Sequence, residues 1–454
     1  MAATQASSLK QAPSAKPISN ARMALLFTVM LVTAAGNTAM QSVMPSIGTA
    51  LGVQDVWISL AYSWSALLWV ICAPIWARRS DRRGRKAMMA LGLVGFVLSM
   101  ALCGIVLWAG LAGWLSAMAA LITFAAARSL YGLFGSAAPP AVQAYVASRT
   151  PRSQRTQALS LIASSFGLGT VIGPALAPLM VLPFLGLGLT GPFICFALLG
   201  FAALILLRWR LPNDEPQFAA RGRVQPYASG SGGAPEDLRA DDGAEDGEDT
   251  EPELPARNLR WFEPRLRPWV IAGLVGGHAQ AMVLGISGFL VLDRLGLRET
   301  PAEGAGPVGI VLMCGAIATL LAQWGLIPRF NLGPRAATLS GILVSALGTA
   351  LLGAAGDLHT IALGYAIASL GFGLFRPGTT SGTSLAVTRA EQGQASGIVA
   401  SVAGASFIYA PALGVWLYNI EARLAFGLIV SLCLAVAIFG WRGLALDEDL
   451  TQDR

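Results

Sequence analysis

The sequence predicts an all-α membrane protein of twelve transmembrane helices in two pseudo-symmetric six-helix bundles. Three observations predict it: charge too sparse for a water-soluble surface, twelve apolar runs of crossing length, and a repeat relating the two halves. Of 454 residues, 54% are hydrophobic and 12% charged, where a soluble globular chain carries about 25% charge. Lipid must therefore cover much of the chain. A net charge of +6 on a soluble fold would suggest nucleic acid. Here the basic residues fall in short loops between apolar runs, so no nucleic-acid partner is expected.

A helix needs about 20 apolar residues to cross the hydrocarbon, and backbone groups cannot stay unpaired there. The runs are continuous and rich in Leu, Ala and Gly, without the alternation of a barrel strand. They predict helices over 23–45, 56–76, 87–108, 114–139, 160–182 and 191–211, then over 268–291, 306–327, 336–354, 359–387, 397–418 and 424–441. The loop after span 2 holds Arg78, Arg79, Arg82, Arg83, Arg85 and Lys86, and the other even-numbered spans are also followed by Arg. The opposite loops carry only Arg294, Arg298 and Arg423. By the positive-inside rule both termini face the cytoplasm, and the chain is expected in the plasma (inner) membrane.

The division that follows is a cytoplasmic tail (1–22), a six-helix half (23–211), a linker (212–267), a second half (268–441) and a short tail (442–454). The linker holds Ser229-Gly230-Ser231-Gly232-Gly233 and an acidic stretch from Asp241 to Glu251. Low hydrophobicity and like charge leave nothing to offset the entropy of ordering it, so it reads as a flexible acidic connection. The five cysteines lie in or beside apolar runs without metal-ligand spacing; they read as small apolar fillers, and neither metal nor cofactor is expected.

The halves match at a shift of 237 residues. Pro140 meets Pro377, Gln157-Ala158 meets Gln394-Ala395, Gly167 meets Gly404, and Pro174-Ala175-Leu176 meets Pro411-Ala412-Leu413. Duplicated halves characterise transporters whose substrate site lies at the repeat interface near the bilayer midplane.

Three local patterns carry chemistry. The first is Asp81-Arg82-Arg83-Gly84-Arg85-Lys86 after span 2. Its cations suit an anionic leaflet. Its carboxylate either caps a neighbouring helix N-terminus, holding one conformation closed, or sits in a solvated turn. The second is Arg128 in mid-span 4, followed by Gly132 and Gly135. An Arg at that depth must face a cavity or a partner. The third is Gly169, Gly173 and Pro174 in span 5, where small residues four apart allow close helix approach and Pro permits a kink.

Together these resemble the major facilitator superfamily, and specifically its twelve-helix drug–proton antiporters. Asp81, Arg82, Gly84, Arg85 and Lys86 fit the family's loop motif, with Ala77 for its leading Gly and Arg79 for its Leu. Arg128 and Gly132 fit the span 4 motif, which the resemblance associates with proton coupling. Gly169, Gly173 and Pro174 fit the span 5 motif of exporters, with Ala177 in place of a Gly. The resemblance implies a conformational switch built from Asp81, Arg82, Gly84, Arg85, Gly169, Gly173 and Pro174.

The family's mid-membrane carboxylate in the first half is missing. Span 1 offers Thr33, Asn37 and Gln41 on one helix face, with His278 and Gln280 in span 7 and Arg376 in span 10. Asn37, Gln41, Arg128, His278, Gln280 and Arg376 are the candidate substrate or coupling residues. Arg128 and Arg376 are expected to converge on one central cavity, which would suit an anionic or zwitterionic solute. Two functions stay open. One is proton-coupled efflux of a small organic solute by alternating access. The other is transport of an organic anion, such as a carboxylate or siderophore, in either direction. No enzyme signature or phosphate-binding loop appears; small solute, protons and lipid are the expected partners, and a single chain is expected to suffice.

Overall fold

The computed structural model describes residues 18–150, 152–183, 186–213, 263–387 and 392–447. The first half contains α1 (Asn20–Leu51), α2 (Asp55–Arg83), α3 (Arg85–Leu111), α4 (Ala117–Leu133), α5 (Ala138–Arg149), α6 (Arg152–Leu176) and α7 (Gly191–Arg210). The second contains α8 (Arg267–Arg294), α9 (Pro301–Leu320), α10 (Ile327–Phe330), α11 (Pro334–Ala354), α12 (Leu358–Leu385), α13 (Gln392–Ile420) and α14 (Ala422–Gly443). Among the described residues, eleven segments are long and apolar enough to cross a membrane, with α4–α5 and α9–α10 each forming one. The twelfth crossing is α6, whose apolar part, Ser164–Leu176, is shorter. The linker's residues 214–262 lie outside the described residues.

Several boundaries move from those expected. Span 4 is not one helix to residue 139. It breaks after Leu133 into a tight turn, Gly135–Ala137, and restarts as α5. Prolines in the first turn of α5 explain this: they lack N–H groups and are tolerated where a helix begins. Span 5 stops at Leu176 and not at 182, with Pro178 opening a separate short turn. The first half begins at Asn20, and the second ends its last helix at Gly443. The loop after span 2 shrinks to one residue. Asp81 and Arg82 continue α2, and Gly84, with φ 87° and ψ 143°, makes the whole turn into α3. A side chain at that φ is strained, so the position suits glycine.

Packing repeats between the halves. In the first, α1 packs on α6, α3 on α7 and α2 on α4; in the second, α8 packs on α13, α11 on α14 and α9 on α12. Across the halves, α13 meets α2 as α6 meets α9. The repeat read from a few matched residues therefore extends to the packing partners. The α1–α6 contact shows why small residues recur. A Cβ at Gly169 would lie 2.7 Å from both Ala34 Cβ and the Leu31 carbonyl, and one at Gly173 would clash with Thr38 Oγ1 and the Ala35 carbonyl. With no hydrophobic force between helices in lipid, such close backbone approach holds them together.

Candidate functional site

A cavity of about 1180 Å³, counting all non-atom space including its open mouth, lies between the halves. From the first half, α1 supplies Asn37 and Gln41, α2 Tyr62 and Trp69, and α4 Arg128 and Tyr131. From the second, α8 supplies Leu284 and Phe289, α9 Leu312, and α13 Phe407 and Pro411. Helical geometry explains the grouping: Asn37 and Gln41 are four residues apart on α1 and share a face. Thr33, one turn earlier, is buried and bonds the Val29 and Met30 carbonyls of its own helix.

Arg128 is 4% exposed. Its Nη2 donates to Asn37 Oδ1. Its guanidinium lies 4.4 Å from the Tyr131 ring centroid and 5.9 Å from that of Tyr62, where the ring faces favour a cation. Its Nε and Nη1 have no hydrogen-bond partner, nor does Tyr62 Oη. Among the described residues, no Asp or Glu lines this cavity. The wall is thus mainly apolar and aromatic, with polar Asn37 and Gln41 on α1 and, among the described residues, one cation, whose N–H donors are only partly used. Unpaired donors in a buried site are costly, and an acceptor on a bound solute would satisfy them.

The other candidates lie elsewhere. Arg376 and Gln280 line a second open cavity, of about 490 Å³ on the same measure, walled by α8, α12 and α13. Arg128 and Arg376 therefore do not share one cavity, and the repeat explains why. The 237-residue shift places Arg128 opposite Tyr365, eleven residues before Arg376, or about 16 Å along a helix at 1.5 Å per residue. His278 lines neither cavity. Its Nδ1 pairs with the Leu274 carbonyl at 2.7 Å, and its ring lies 4.9 Å from that of Tyr409. Of the aromatic residues near the start of α2, Tyr62 and Trp69 face the central cavity, while Trp57 and Trp64 are exposed.

The switch residues divide similarly. Arg85 is buried, and its Nη1 donates to the Ala144 carbonyl at 2.5 Å, tying α3 to α5. Lys86 Nζ donates to the Arg208 carbonyl at the end of α7. The side chains of Asp81 and Arg82 lie outside the described residues. Gly169 and Gly173 face α1, whereas the Pro174 carbonyl lies against Gly309 of α9 in the other half.

Sequence reasoning missed one cluster. At the end of the bundle opposite the termini, Arg298 follows α8. It donates Nη1 to Asp55 Oδ1 and Nη2 to Asp55 Oδ2, both at 2.8 Å. It also donates Nε to Asp293 Oδ1 at 2.6 Å and Nη1 to Thr49 Oγ1 at 3.1 Å. Tyr418 Oη donates to Asp293 Oδ2 at 2.7 Å. Among the described residues, Asp55–Arg298 is the ion pair that joins the halves. Burial works against the Arg298 charge, but the bonds to Asp55 and Asp293 outweigh it and move its pKa up. The signal was present in the sequence: Arg298 is one of three cations on the side that the positive-inside rule leaves bare.

Two six-helix bundles, related by a repeat and enclosing a cavity between them, define a polytopic membrane transporter. The profile of the Major Facilitator Superfamily matches residues 26–331, and the chain belongs to that family. It is 32% identical over 171 residues to the multi-drug resistance efflux pump PmrA homolog of Lactococcus lactis, covering 37% of this chain and 38% of that protein. That match spans about two fifths of the relative's length. Multidrug resistance protein 1 of Bacillus subtilis is 24% identical over 432 residues, 93% of this chain and 97% of that one. Among solved structures, a POT family transporter in complex with 5-aminolevulinic acid superposes with a TM-score of 0.64 at 14% identity, covering 97% of this chain and 99% of that one; this shows the fold.

Proposed function

We propose that the protein is a secondary active exporter that moves a small amphipathic organic solute by alternating access, driven by a proton gradient. The observation that carries this reading is the shared cavity: both halves wall it, so rocking one against the other changes which end its mouth faces. The two bacterial relatives are named for multidrug resistance, which supports export. The positive-inside pattern supports an inner-membrane location with both termini in the cytoplasm. A single chain holds the whole cavity, which supports a working monomer.

A second reading, carriage of an organic anion in either direction, is favoured by Arg128 itself. Its unpaired N–H donors face a cavity that, among the described residues, no acidic side chain lines, and a guanidinium grips a carboxylate through two parallel bonds. Flux into proteoliposomes under an imposed pH gradient, measured for a lipophilic cation and for an aryl carboxylate, tests both readings. Gradient-driven movement of the cation supports the first, and of the carboxylate the second. Indifference to the gradient for both refutes proton coupling.

A further inference from the structure

The cavity that holds Arg376 is built as a site in its own right. Along α8, its wall runs from Trp269 to Gln280, whereas the central cavity begins at Leu284. Along α13, it runs from Val399 to Phe407, whereas the central cavity takes Phe407 and Pro411. The two spaces therefore lie in series along the same two helices, the second one nearer the terminal end of the bundle. Phe407 is the one described residue that lines both, so its ring stands at the partition.

The chemistry of the second wall is specific. Arg376, Thr379, Thr380 and Thr383 are spaced to share one face of α12. Thr379 Oγ1 donates its proton to the Arg376 carbonyl at 3.0 Å, and Thr383 Oγ1 donates to the Thr379 carbonyl at 2.8 Å. Those hydroxyl oxygens are left to act as acceptors. The face thus offers a guanidinium for an anionic group and, one to two turns away, acceptors for an N–H donor. Phe407 supplies aromatic surface for an apolar body, backed by the edges of Trp269 and Phe375, which are otherwise buried. Space is kept open by Gly273, where an added Cβ would make only ordinary contacts, 3.6 Å to Val402 and 3.9 Å to Thr379.

We propose that this cavity is a second solute site, in series with the central one and separated from it by Phe407, for aromatic carboxylates that carry an N–H group. The proposal deepens the transport reading, because a solute travelling from the terminal end would occupy this site before the Phe407 ring yields. It does not need flux to be tested. Gly273→Leu extends a side chain into the second cavity without reaching the central one.

Indole-3-acetate, radiolabelled, serves as the probe, bound at equilibrium to the purified full chain in detergent. Two sites per chain are expected. Gly273→Leu reduces this to one, and Arg376→Gln weakens the same site at least tenfold, while Arg128→Gln removes the other. Phe407→Ala merges the two into one class. Thermal melting of each variant separates lost binding from lost folding, and Arg376→Gln carries the test if Gly273→Leu does not fold. A single site lost in Arg128→Gln and indifferent to Gly273→Leu and Arg376→Gln overturns the second site and leaves the transport reading intact. Absence of saturable binding also overturns it. Two sites without any solute flux would refute the transport reading and leave this one standing.

Discussion

Asp55→Asn removes one charge from the ion pair that joins the halves and leaves the side-chain shape unchanged. In the intact pair two parallel bonds at 2.8 Å run from Arg298 to an Asp55 side chain only 8% exposed. Hydrogen bonds to charged groups contribute about 1.5–3 kcal/mol each. Arg298 is 31% exposed and keeps its bonds to Asp293, so solvent screening discounts the sum. A net loss of about 2 kcal/mol is reasonable. At 1.4 kcal/mol per tenfold, that shifts the equilibrium roughly 30-fold toward the state in which the halves part at this end. Spin labels at Gln54→Cys and Glu299→Cys, both exposed positions flanking the cluster, read the separation by double electron–electron resonance. The long-distance population should rise from a minor component to a large one in Asp55→Asn, with the melting temperature nearly unchanged. An unchanged distance distribution would show that the pair does not bias the conformational equilibrium.

Four further outcomes are expected. Arg128→Lys retains charge but loses the planar fork, so flux should fall at least tenfold, by about 1.4 kcal/mol or more, with little change in melting; a large melting loss with unchanged solute ranking would make Arg128 structural. Asp81→Asn should slow cycling while leaving solute affinity within about threefold, the mark of a switch and not a binding group; normal transport by this variant would refute the switch. Gly173→Ala drives a methyl into α1 at Thr38 and Ala35, so it should destabilise by about 1–3 kcal/mol, visible as a lower melting temperature. Asp357 caps α12 by accepting from the His359 and Thr360 amides. Bonds from Thr360 are the main cause holding its carboxyl below the usual range. A depressed acid stabilises above its unfolded pKa and loses that contribution as pH falls through its folded value. Hydrogen exchange at the start of α12 should accelerate in Asp357→Ala, and the difference from wild type should vanish in acid.

Fold was legible where the physics is local. Crossing length and continuous hydrophobicity are set by the bilayer, so the crossings could be counted directly from the chain. Boundaries were less legible because polar depth varies: α1 runs on to Leu51, beyond the apolar stretch that announces it. The Gly84 turn was legible only as a turn, since nothing in Asp81-Arg82-Arg83 says that helix persists through three charged residues. The site was partly legible. Arg128 with Asn37 and Gln41 could be grouped by burial cost and helix spacing. Arg376 lines the second cavity and not the central one: the repeat pairs Arg128 with Tyr365, so equivalent spans carry the two guanidiniums at different depths. Pairing of Asp55 with Arg298, 243 residues apart, depends on which helix ends meet across the halves, and no local pattern encodes that.

Placement of the Asp55–Arg298 pair at a helix end, and not at membrane depth, has an environmental consequence. Arg298 is partly exposed, and mobile ions screen such charges, with a Debye length of about 10 Å at 0.1 M salt and 3 Å at 1 M. Close packing such as that of Gly169 and Gly173 against α1 is indifferent to salt. Asp55 is nonetheless only 8% exposed and in contact with Arg298 at 2.8 Å, and partly buried pairs are screened much less than exposed ones. The fastening therefore keeps most of its strength even in brine, and the seam between the bundles is sheltered from the compartment that bathes that end.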